Sequence, residues 1–131
     1  EPLAAAAEQY QRLLLAPGAA STFVFENRPH VFGTVPPVSQ YLNQAVQGLA
    51  QQAGAQSIAT VYEDASFTRG VCGSAPDLAQ EYNLQFTSAT QVPETPSVEA
   101  LLPIVQRLRD EEQPDVVITC VYDQGCLHWI Q

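Results

Sequence analysis

At 131 residues, 46% apolar and 15% charged, the chain has the composition of a globular protein with room for one core and not for two full domains. Fourteen acids against five bases give a formal charge of −9 with no basic cluster, which speaks against a nucleic-acid partner. All five bases are arginines, which excludes chemistry that needs a Schiff-base or P-loop lysine.

The chain opens at Glu1 and contains no methionine, as expected of a piece of a longer protein. No apolar run reaches the ~18 residues of a membrane span, and no signal peptide is visible. Pro2–Tyr10 is rich in helix formers, with proline tolerated in the first turn, and predicts the end of a surface helix. Arg12–Ala16 reads as a short apolar strand running into Pro17-Gly18 and a loop of small residues, Ala19 to Thr22. Phe23–Pro29 is irregular, His30–Val35 is extended, and Pro36-Pro37 closes it. The stretch around Val31–Pro37 is the one boundary to draw.

Val38, Tyr41, Leu42, Ala45, Val46, Leu49, Ala50 and Ala53 recur at three- and four-residue spacing and predict a helix that stops at Gly54. Ser57–Tyr62 reads as a strand that meets Glu63 and Asp64 and then a small-residue turn ending in Arg69-Gly70. Ser74 is placed to cap a helix over Ala75–Tyr82, and Leu84–Thr90 alternates like a half-buried strand. Ser97–Arg109 carries Val98, Leu101, Leu102, Val105 and Leu108 on one helical face, with Pro103 inside it. Asp110-Glu111-Glu112 reads as a solvated helix end. Asp115–Val121 is the most apolar strand, expected inside the sheet and not at its edge. Gln124–Gln131 starts a last helix.

Strands alternating with helices predict an α/β fold, a three-layer open parallel sheet with helices on both faces. Such sheets collect ligands at the carboxyl ends of their strands. Pro17–Thr22, Glu63–Gly70 and Tyr122–Gly125 are therefore the places to look. The first offers backbone N–H groups and the hydroxyls of Ser21 and Thr22, suited to a carboxylate or an amino-acid backbone. In the second, Phe67 either faces a ligand or packs inward while Asp64 pairs with Arg69 at the surface. In the third, Tyr122 is either core or a cleft aromatic.

Dinucleotide, P-loop and nucleophile-elbow motifs are absent, so no cofactor is expected. Cys72, Cys120 and Cys126 lack metal-ligand spacing, so no metal site is expected; at most one internal disulfide can form, and buried free thiols are the expected state. A cysteine enzyme, with Cys72 as nucleophile and His128 as base, is the alternative to a binding module. A half-domain that pairs two copies of the chain through uncovered apolar surface is another.

YEDASFTRG, following an apolar strand, resembles a segment of the type I periplasmic-binding-protein, or extracellular ligand-binding receptor, family. That segment has a tyrosine, an acidic pair, two variable positions, an aromatic residue and glycines. LLLAPGAAS, RPHVFGTVPPVSQ and QPDVVITCVYDQG are similar to the family's strand-loop, crossover and later strand segments, in the same order, so that nearly the whole chain is covered.

The family includes branched-chain amino-acid binding proteins and the ectodomains of metabotropic glutamate and natriuretic peptide receptors. The resemblance implies two α/β lobes closing on a ligand, with residues 1–35 the end of the first lobe and the hinge crossing, and residues 36–131 an incomplete second lobe. It implies a non-catalytic, extracellular or periplasmic sensor of a small polar ligand, an amino acid being one candidate, with membrane attachment of a longer parent left open. By the same resemblance Ala19, Ala20 and Ser21 hold the ligand's amino-acid backbone, and Phe67 and Tyr122 supply cleft aromatics. Three positions depart from the family pattern: Thr68 replaces a glycine, Gly33 replaces an arginine, and Ala20 stands where Thr or Ser is common. These bear on the ligand and not on the fold.

Overall fold

The computed structural model describes residues 2–130, except for the side chains of residues 123, 124 and 130. The last helix expected over Gln124–Gln131 thus ends, at Gln131, outside the described residues.

The first segment is thin. Helix α1 (Pro2–Gln9) lays Ala4 and Ala7 on Val31, and the three-residue strands β1 (Leu14–Ala16) and β2 (Val31–Gly33) pair in parallel. The stretch expected to be irregular contains one helical turn, α2 (Thr22–Phe25). Its Phe25 ring fills the space above Gly33, where a Cβ would lie 2.7 Å from the ring. That contact explains why a long side chain is missing at this crossover position.

After the two prolines, Val38–Gln40 forms a 3₁₀ turn and α3 (Asn43–Gln51) continues the apolar stripe, so the single predicted helix is two pieces. Gly54, at φ +70°, follows α3 in the left-handed conformation that glycine adopts freely. Next come β3 (Ser57–Glu63), α4 (Ser66–Cys72), α5 (Ala75–Glu81), β4 (Gln85–Val92) and α6 (Val98–Arg107). The Ser97 side chain caps α6, accepting from the Ala100 N–H at 3.3 Å. Beyond a π turn, Leu108–Glu112, lie β5 (Val116–Cys120) and α7 (Asp123–Ile130). The three strands are parallel in the order β4-β3-β5.

Alternation along β3 builds the layers. Ile58 packs with Val46 of α3 and Ala75, Leu78 and Ala79 of α5 on one face, while Ala59 and Val61 pack with Leu101 and Leu108 on the other. These are the two helical layers that the sequence pattern implied. Residues 109–111 are exposed, while Leu108 is in the core, and the stretch is tied down by Arg107 pairing with Glu112 at 2.9 Å and Arg109 with Asp110 at 2.6 Å.

Three expectations need correction. Glu63–Gly70 is not one turn: Glu63 ends β3, and Ser66–Cys72 is a helix. Thr68, Gly70 and Val71 are weak helix formers, which hid it. Strand β5 is the outer one of the three strands among the described residues, and not an inner one, with Val117 36% exposed. The buried thiols are in fact a disulfide between Cys72 and Cys120, and Cys126 is exposed. Residues 48 apart in sequence meet because α4 packs on β5, a juxtaposition invisible in cysteine spacing.

Candidate functional site

The two segments meet at a cluster formed by Ala20, Val38, Val71, Cys72 and Cys120, against which Tyr62 and Phe67 pack. Ala20 comes from the loop after β1, and its carbonyl accepts the Val38 N–H at 3.0 Å. Val71, Cys72 and Phe67 come from α4, and Cys120 from the end of β5. The carboxyl ends of β3 and β5 share one edge, as parallel pairing requires, and the loop after β1, from the separate two-stranded sheet, packs there through Ala20. Gly70 allows the close approach: a Cβ there would sit 2.7 Å from Val38 Cγ2.

In the loop after β1, Ala19 N–H is used by a turn to Ala16 O at 3.2 Å. Ser21 precedes α2, yet its hydroxyl does not cap that turn. Among the described hydrogen bonds the Ser21 N–H has no partner within the chain either. Ser21 is thus left with donors to offer.

Phe67 is partly buried, packed against the disulfide cluster and met edge-on by Tyr41, with ring centroids 5.8 Å apart and planes at 79°. Asp64 and Arg69 pair with each other at 3.1 Å on the surface, so neither charge stands alone. Tyr122, directly after β5, is 48% exposed, and its carbonyl accepts the Cys126 N–H at 2.9 Å. The structure thus brings Ala20 and Phe67 into one cluster, of which half-exposed Tyr122 is not a member.

Two residues at this junction take parts that the sequence pattern did not give them. Thr68, at the position where a glycine was expected, is buried, and its hydroxyl donates to Glu63 O at 2.6 Å or to Ala65 O at 2.9 Å, closing the β3–α4 turn. Tyr41 was read only as part of an apolar stripe. Its 3₁₀ neighbourhood turns it toward Phe67, and a proline pair ahead of a helix start was the available signal.

Glu63 is 1% exposed, with its carboxylate against Gly125 in the first turn of α7 and Oε1 without a partner. A groove of about 450 Å³ runs between the segments, with Thr22 and Phe23 on one side and Ser66, Arg69 and Gly73 on the other. At the opposite end of the sheet, Asp115 accepts from the Gln56 and Ser57 N–H groups at 2.8 and 2.9 Å and from the Ser57 hydroxyl. These bonds hold its carboxyl below the usual aspartate range and tie β5 to β3 far from the site.

The cysteine-enzyme arrangement is not assembled. Cys72 is oxidised, and His128 Nδ1 lies 2.8 Å from the Pro96 carbonyl. No group of three or more His, Cys, Asp or Glu side chains suited to a metal is found among the described residues. No helix among them is long and apolar enough to cross a membrane.

A family model described as "Periplasmic binding protein" matches residues 1–131. The chain belongs to that family. Solved structures agree in fold. An ABC transporter substrate-binding protein from Desulfitobacterium hafniense in complex with Leu matches at TM-score 0.76 and 18% identity, covering 98% of this chain and 38% of that one. A branched-chain amino acid ABC transporter protein from Thermus thermophilus with bound valine matches at 0.81 and 14%, over 98% of this chain and 33% of that one. A solute-binding protein from R. palustris in complex with 4-hydroxybenzoate matches at 0.75 and 18%, over 98% and 34%. The chain thus spans only about a third of the length of these structures. No curated protein sequence matches it.

Proposed function

We propose that this chain is part of a non-catalytic solute-binding protein and supplies portions of both walls of a cleft for a small organic carboxylate. Residues 2–35 belong to one lobe and the crossing, and residues 36–130 to the other. The observation that carries the reading is the meeting of Ala20, in the loop after β1, with the helix that bears Phe67, beside Cys120 at the carboxyl end of β5.

The Ser21 N–H and hydroxyl suit a carboxylate, and Phe67 with Tyr41 and Tyr122 suits an apolar or aromatic remainder. Leu, valine and 4-hydroxybenzoate, the ligands of the related structures, all combine those two parts. A ligand touching both lobes favours their closed arrangement, because it binds that arrangement more tightly than the open one. The disulfide and the family both support a periplasmic or extracellular location.

The test is a calorimetric and thermal-shift screen of the full-length protein with amino acids and hydroxylated benzoates. Saturable binding weakened at least about tenfold by Phe67→Ala and Tyr122→Ala together supports the assignment. Saturable binding indifferent to both substitutions overturns it.

A further inference from the structure

The Cys72–Cys120 disulfide lies at the junction where the candidate cleft is assembled. Cys72 closes α4, the helix that opens with Ser66-Phe67, and Cys120 closes β5, two residues before Tyr122. Both cysteines are buried, and Ala20 of the first segment rests on the same cluster.

Helix α4 is only seven residues long and is built from Ser, Phe, Thr, Arg, Gly, Val and Cys, most of them weak helix formers. So short a helix holds its place through tertiary attachments and not through its own propensity. Two attachments stand out. At its start the buried Thr68 hydroxyl donates to the Glu63 carbonyl at 2.6 Å, with the Ala65 carbonyl as the alternative acceptor at 2.9 Å, fixing the helix to the end of β3. At its end the disulfide fixes it to β5. Phe67 and Val71, one turn apart, both face the cluster between these two anchors.

We infer that the Cys72–Cys120 disulfide is a positioning element of the ligand cleft: it holds the Phe67-bearing helix in register with the strand that leads to Tyr122. This rests on the ligand reading given above. Burial of two thiols would fill the same space, so what the covalent bond adds is restraint. Without it the far end of α4 is kept only by the packing of Val71 and its neighbours, and Phe67 loses a fixed distance to the β5 end.

The experiment compares the full-length protein with Cys72→Ala/Cys120→Ala and with the better-filling Cys72→Val/Cys120→Ala, each in wild-type and Phe67→Leu backgrounds. L-valine and 4-hydroxybenzoate are titrated calorimetrically, and amide hydrogen exchange is followed without ligand. The expected result is an affinity loss of about tenfold in the wild-type background and less than about twofold beside Phe67→Leu, since residues acting through one another are not additive. Exchange should quicken over residues 66–72 while residues 57–63 stay protected.

Equal affinity with and without the disulfide, or the same loss in both backgrounds, overturns the inference and leaves the ligand reading standing. If the wild-type protein binds neither probe, the ligand reading fails for these ligands and exchange decides the restraint: a uniform change, or none, overturns it. If neither disulfide-free variant folds, the bond serves the whole fold and the inference is overturned.

Discussion

Residues 2–35 and 38–130 share one polypeptide but not one kind of stability. The first region pairs two strands of three residues and buries Ala4, Ala7 and Val31 in its own small cluster, while Leu3, Leu13, Leu15, Phe23 and Phe32 stay exposed. The second pairs three longer strands and buries residues on both faces of the central one. Apolar composition is ample in both. Within this chain, what differs is the number of layers available to cover it: α1 and one helical turn on the first sheet, helices on both faces of the second. The candidate site sits on the seam between the two.

Four measurements sharpen or break this contrast. Ile58→Ala, which opens a hole beneath the central strand, should cost about 3 kcal/mol in urea unfolding. Gly70→Ala drives a methyl into Val38 at the seam and should cost about 2 kcal/mol, with the loss reported by faster exchange near Val38. A cost near zero would mean that α4 and the segment after the prolines are not in register.

Asp115 supplies the third, through pH. Its carboxyl is held low by hydrogen bonds from Gln56 and Ser57, so its stabilisation is fully present above the unfolded value of about 4 and is lost as pH falls through the lower folded value. Asp115→Asn should flatten the acid limb of the stability profile, and an unchanged limb would contradict the tie between β5 and β3. The smallest effect belongs to Leu15→Ala in the first region. At 61% exposure it should change unfolding by less than about 0.5 kcal/mol in this chain. A cost matching that of Ile58→Ala would abolish the contrast.

Much of the fold was legible in the sequence because periodicity reports burial. The stripes of α3 and α6 and the alternating half-buried run of β4 were found near their observed places, and Gly54 and the proline pair marked real breaks. Helix α4 was missed because its residues favour helix weakly and tertiary anchors supply the difference.

Of the candidate site, one juxtaposition is present: Ala20 and Phe67, 47 residues apart in the chain, belong to one cluster. Tyr41 and Thr68 were not legible, since their parts depend on a 3₁₀ turn and on a buried hydroxyl. The Cys72–Cys120 pairing lay beyond any spacing rule, because it follows from the docking of α4 on β5.

The most direct test of the central claim, that both regions serve one cleft, is calorimetric titration of the full-length protein with L-valine and 4-hydroxybenzoate, comparing wild type with Ser21→Ala and with Phe67→Ala. Each substitution, one in each region, is expected to weaken the same saturable binding by about tenfold. Saturable binding that either substitution leaves unchanged would contradict the account.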